Sequence, residues 1–95
     1  MVVGICQLDI RIHGNNSLKG KRQVIKQIVD RTKTRFNVSI AEVGDHDLWQ
    51  RTKIGFSIVG NDRRHINSRL DTIKNFIEQF YPAEIIDSEW EILNY

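Results

Sequence analysis

The sequence predicts an α+β fold in which four strands and two helices follow one another as β-α-β-β-α-β. Three observations predict it. Apolar residues alternate with polar ones at period two over residues 2–13 and 52–59. Two further stretches carry apolar residues at helical spacing, each opened by a good capping residue, Ser17 and Asp62. At 95 residues the chain has room for one domain and no second.

The elements follow in order. In the first strand Cys6, Leu8, Ile10 and Ile12 share one face, and Gln7, Asp9, Arg11 and His13 share the other. Gly14-Asn15-Asn16 makes a turn, and a helix runs from Ser17 to about residue 35. Its apolar stripe is Leu18, Ile25, Ile28, Val29 and Phe36. A second strand is expected over residues 36–43, then a polar connection, Gly44-Asp45-His46-Asp47-Leu48-Trp49-Gln50-Arg51, expected to be the most exposed part of the fold. The third strand covers residues 52–59, with Ile54, Phe56 and Ile58 on its core face. Gly60-Asn61-Asp62 turns into a second helix whose stripe is Ile66, Leu70, Ile73, Ile77 and Phe80, and Tyr81-Pro82 ends it. The last strand spans residues 84–93, with Ile86, Ser88, Trp90 and Ile92 on one side and Trp90 expected in the core. Two strand–helix–strand halves of this kind form the split βαβ, or ferredoxin-like, sandwich: a four-stranded antiparallel sheet with two helices on one face, residues 1–95 as a single domain.

Composition bounds the function. A hydrophobic share of 40% and a charged share of 27% belong to a soluble globular protein. No apolar run approaches the roughly 20 residues that cross a bilayer, so no membrane partner is expected. The single cysteine, with no signal peptide before it, implies a reducing cytoplasm. The net charge of +2 is small, but its distribution is two-sided. Residues 19–35 hold Lys19, Lys21, Arg22, Lys26, Arg31, Lys33 and Arg35 against Asp30 alone, whereas residues 84–91 hold Glu84, Asp87, Glu89 and Glu91 and no base.

The basic helix carries the sharpest candidate site. Lys19, Lys26 and Lys33 recur every seven residues, and at about 100° per residue they form a narrow row with Arg22 beside it, flanking the apolar stripe. Such a row of roughly 20 Å matches a phosphate backbone; equally, it is the form of a solvated face whose lysine stems shield the core edge. Trp49, inside a polar connection, serves either as an anchor folded over the end of the core or, flanked by Gln50 and Arg51, as a hot spot for a protein or a base. The open sheet face has no aromatic on its central strands, which excludes the base-stacking sheet of an RNA-recognition motif. Any RNA contact must therefore come from helix and loop cations.

Catalytic motifs are missing. Gly14-Asn15-Asn16-Ser17-Leu18-Lys19-Gly20-Lys21-Arg22 resembles a phosphate-binding loop, but its spacing is one residue off and Arg22 stands where a hydroxyl would hold magnesium. Asp45-His46-Asp47 lacks a fourth metal ligand, and its adjacent side chains diverge. Cys6 lies on an apolar face as an inert thiol. The turn after the first strand contains no arginine of the kind that an acylphosphatase uses to grip phosphate.

Four stretches carry a family resemblance: Val2-Val3-Gly4-Ile5-Cys6-Gln7-Leu8; Ser17-Leu18-Lys19-Gly20-Lys21-Arg22; Ala41-Glu42-Val43 through Asp47-Leu48-Trp49-Gln50-Arg51; and Ser57-Ile58-Val59-Gly60-Asn61-Asp62. They resemble the YlxP-like family of small bacterial proteins, nearly end to end, with Asp-Leu-Trp-Gln-Arg the most specific part. The resemblance departs at Gly20, where an acidic residue is expected after Ser-Leu-Lys. It implies a ferredoxin-like fold, assigns no catalytic residue, and implies a role near the ribosome, because genes of the family often neighbour translation-initiation and ribosome-maturation genes.

The expectation is a non-enzymatic binding module with no cofactor, metal or small-molecule substrate. It docks on structured RNA or a ribosomal particle through Lys19, Arg22, Lys26 and Lys33, with Trp49 and Arg51 as the more specific contact. The rival expectation is a protein-interaction or homodimerisation domain that uses its last, edge strand or an open sheet face bearing Val3, Ile5, Ile85 and Leu93.

Overall fold

The structure, a computed structural model, describes all residues, Met1–Tyr95. Its elements are β1 (Val2–Ile12), α1 (Leu18–Arg35), β2 (Ser39–Gly44), β3 (Arg51–Gly60), α2 (Arg63–Glu78) and β4 (Ala83–Asn94). The sheet order is β2-β3-β1-β4, with every neighbouring pair antiparallel. This is the ferredoxin-like α+β arrangement that the sequence predicts. No helix is long and apolar enough to cross a membrane.

The period-two pattern decides which sheet face the helices cover. Leu8, Ile10 and Ile12 of β1 and Ile54 of β3 are fully buried, and Ile28, Ile66, Ile73 and Ile77 close over them from the helices. The caps form as expected: Ser17 Oγ accepts from Gly20 N–H at 3.0 Å, and Asp62 Oδ1 accepts from Arg64 N–H at 3.1 Å. α2 sits so close to β1 that a Cβ on Gly4 would lie 2.6 Å from Ile66 Cγ2. Gly4→Ala is therefore expected to cost about 1–3 kcal/mol through overpacking. A urea midpoint that falls with an unchanged slope would register it; an unchanged midpoint would show that α2 rides over a methyl freely.

Three details differ from the sequence expectation. β2 begins at Ser39 rather than Phe36, because Phe36 is spent as the C-cap of α1, its N–H bonded to Thr32 C=O. A bulge shifts the β1–β4 register between Asp9 and Ile10, so Ile85 lies opposite Ile10 and packs against the core instead of facing the open sheet. Ile86 is left exposed at the bulge. Trp90 lies opposite Cys6, on the helix-covered side, yet it is 59% exposed, so the core placement is wrong. β4 is an edge strand, and α2 hydrogen-bonds to it at Ser88, through Lys74, and at Ile92, through Arg63, leaving Trp90 between them exposed.

Candidate nucleic-acid interface

α1 is set by what it buries. Its fully buried residues are Lys21, Ile28 and Thr32, a direction offset from the apolar stripe read in the sequence. At about 100° per residue, the row of Lys19, Arg22, Lys26 and Lys33 lies roughly 100–160° from that buried direction. The row thus faces solvent nearly opposite the core instead of flanking it, and all four side chains are exposed. Lys26 is tied to Asp30 one turn on, at 3.0 Å. The four ion pairs of the fold leave Lys19, Arg22 and Lys33 without a carboxylate. From Lys19 to Lys33 the row measures about 21 Å along the helix.

Lys21, one of the basic run in sequence, belongs to the interior. Its ammonium lies 3.2 Å from Glu42 Oε2 on β2 and donates to the carbonyls of Asp45 and His46. Glu42 Oε2 in turn accepts from the Thr52 hydroxyl at 2.6 Å. A buried lysine is tolerable only when its charge is paired and its protons are accepted, and both conditions hold here.

The same contacts fasten the connection between β2 and β3. Asn15 Nδ2 donates to Trp49 C=O at 2.6 Å and to Ser17 C=O at 2.8 Å, and Gln50 Nε2 donates to Asn15 C=O at 3.0 Å. Gly20 makes room for this brace, because a Cβ there would collide with Asn15 Oδ1. The glycine that departs from the family pattern thus has a packing role. The connection is exposed, as expected, yet pinned at both ends to the start of α1. Trp49 is not an anchor over the core: it is 53% exposed, beside an exposed Leu48, with its backbone carbonyl tied to Asn15 just before α1.

Arg51, expected beside Trp49, is engaged on the sheet. It lies opposite Arg11 on the open sheet face and donates to Asp9 Oδ2 at 2.9 Å. That single bond leaves Asp9 Oδ1 and Arg51 Nε buried without partners. Two of the three arginines of α2 are engaged within the fold. Arg69 donates to the carbonyls of Val59 and Asn37, and Arg63 to that of Ile92. Arg31 and Arg35 lie over the rings of Phe80, Phe36 and Phe76, packing the far end of α1 against α2.

The other chemical candidates take structural places. Asp45 and His46 give their carbonyls to Lys21, and no group of three His, Cys, Asp or Glu side chains is arranged to hold a metal ion. Cys6 is buried, and burial pushes its thiol up from 9.0 to about 11, with Asp71 adding to the effect and Lys74 opposing it. Iodoacetamide at pH 8 is therefore expected to alkylate native Cys6 roughly a hundredfold more slowly than the urea-unfolded chain. Equal rates would show that the thiol is reached without unfolding.

The comparisons agree on a family and on a fold. The chain is 37% identical over 91 residues to Uncharacterized protein YlxP of Bacillus subtilis (strain 168), a match covering 94% of this chain and 99% of the relative. It is similar in fold to the solved structure of De novo designed protein Foldit4, with a TM-score of 0.57 at 15% identity, over 99% of this chain and 97% of that one. That likeness speaks for the backbone arrangement alone. The model of the family described as "Protein of unknown function (DUF503)" matches residues 3–90. With nearly its whole length matched, and with the relative carrying the YlxP name that the Asp-Leu-Trp-Gln-Arg stretch suggests, the chain belongs to this family.

Proposed function

We propose that this protein is a non-enzymatic binding module of the cytoplasm that docks on structured RNA, in particular on a ribosomal particle, through the solvent face of α1. The observation that carries the reading is that three of the four cations of the row are unpaired. Lys19, Arg22 and Lys33 spend no charge on the fold, and with Lys26 they align over about 21 Å, the scale of several phosphate spacings. Trp49, whose backbone carbonyl is tied to Asn15 just before α1, offers an exposed aromatic face on which an unstacked base can rest. The acidic edge strand lies across the sheet from β2, over which α1 packs, so the charge distribution orients α1 toward a polyanion.

Cosedimentation of the protein with ribosomal subunits across a potassium chloride series tests this directly. Association is expected at low salt and should titrate away steeply as salt rises. No association at low salt ends the proposal.

A second reading, self-association, is favoured by a different observation. The open sheet face holds a depression of about 530 Å³ whose lining includes Ile5, Ala41 and Val43. Ile5, Val43, Val59 and Leu93 are exposed. Face-to-face pairing of two copies would bury them. A strictly monomeric species in sedimentation equilibrium at high micromolar concentration would remove this reading.

A further inference from the structure

β4 is an edge strand whose hydrogen-bonding rim includes an open window in its middle. Met1 and Tyr95 exchange reciprocal backbone bonds across the β1–β4 pair. By the alternation of an antiparallel ladder, Leu93, Glu91 and Glu89 then bond inward to β1, while Ser88, Trp90 and Ile92 turn their backbone groups outward. Two of those outward groups are occupied: Ser88 N–H by Asp87 Oδ1 at 2.8 Å, and Ile92 C=O by Arg63 Nη1 at 3.1 Å. Between these plugs remain Ser88 C=O, Trp90 N–H, Trp90 C=O and Ile92 N–H, four consecutive groups with no partner in the fold.

The side chains beside this window have a clear sign and pattern. Glu89 and Glu91 lie opposite Gln7 and Ile5, on the open sheet face, and neither is in an ion pair. Trp90, on the other face, is 59% exposed. Natural edges are usually guarded by lysines, prolines or bulges; here the bulge lies just outside the window, and the window itself carries two carboxylates around a tryptophan.

We propose that residues 88–92 are a strand-addition site for a short extended segment of another protein, with a lysine or arginine at alternate positions and an apolar residue between them. Main-chain bonds complete the four open groups, the two cations pair across the strands with Glu89 and Glu91, and the apolar side chain covers Trp90. A second copy of β4 is a poor occupant, because two-fold pairing centred on Trp90 sets the glutamates of one copy across from those of the other. A polyanion is excluded by the same charges. The site lies at the sheet edge away from α1, so its failure leaves the RNA reading untouched.

The probe is a capped seven-residue peptide with valine at its centre, lysine on either side and threonine elsewhere, titrated into the isotopically labelled protein and followed by backbone amide and indole shifts. Saturable shifts are expected, confined to β4 at residues 87–93 and to the Trp90 indole. N-methylation of the central valine removes the donor to Trp90 C=O and is expected to weaken binding at least roughly tenfold. The variant Glu89→Lys/Glu91→Lys, altered only at exposed positions and checked for folding by its amide spectrum, is expected to lose a similar factor. The proposal is overturned by no shift at about 1 mM peptide, by shifts centred elsewhere, or by equal binding of the N-methylated peptide. It is also overturned if the wild-type protein proves to be a dimer paired through β4, which would make a second copy the occupant.

Discussion

Lys21→Met is expected to lower stability by about 3–5 kcal/mol, the range for removing one partner of a buried ion pair. The Glu42 carboxylate would keep only the Thr52 hydroxyl, and the carbonyls of Asp45 and His46 would lose their donor. For a domain of this size such a loss lowers the melting temperature by roughly 20 °C. Adding Glu42→Leu removes the stranded charge and should restore a large part of that loss, since replacing both members of a buried pair is often close to neutral. Hydrogen exchange should accelerate at Leu48, whose amide bonds to Asp45 C=O within the fastened connection. A cost below about 1 kcal/mol for Lys21→Met would mean that the ammonium swings out to water and that the connection holds without it.

Trp49→Ala is expected to weaken RNA binding about ten- to a hundredfold, the range for losing one base–aromatic stack, while leaving the salt slope unchanged. Folding should be little affected, because the indole is half exposed and the bond from Asn15 goes to the Trp49 backbone. The combination of lower affinity with constant slope separates an aromatic contact from a phosphate contact, which changes both. A change in slope, or none in affinity, would remove Trp49 from the interface. Arg51→Ala is the companion measurement. Engaged with Asp9 on the opposite sheet face, Arg51 should leave RNA affinity unmoved.

The strands and helices were legible because their signals are local. Period two in β1 and β3, the Ser17 and Asp62 caps and the even stripe of α2 each depend on residues a few positions apart. What stayed hidden depends on partners distant in sequence. The burial of Trp90 was misjudged because alternation tells which side a residue faces, not whether a helix reaches far enough to cover it. Ile85 was misplaced because one bulged residue inverts the parity of everything beyond it.

The row itself was visible, but its bearing was off because the stripe was drawn through Leu18, Ile25, Ile28, Val29 and Phe36, without Lys21 and Thr32, which the fold buries. A signal for Lys21 was present: it stands one heptad before Ile28, and Glu42 and Thr52 fall on the buried parity of β2 and β3 with Ile40 and Ile54. Opposite charges at core positions of two elements are the mark of a buried pair. Gly20, noted only as a lost charge, gains its meaning from the Asn15 side chain folded against it.

The central claim is that the unpaired cations of α1 meet phosphates. Its most direct test is the salt dependence of binding to purified ribosomal subunits, compared between the wild-type protein and the variant Lys19→Ala/Arg22→Ala/Lys26→Ala/Lys33→Ala. All four positions are exposed, so the variant should fold. Four phosphate contacts predict a slope of log K against log salt of about −3 to −4 for the wild type and near zero for the variant, with most affinity lost at low salt. Lys26, already paired with Asp30, should account for the smallest share. A variant that binds as tightly as the wild type with the same slope would contradict the account and leave the row as a solvated helix face.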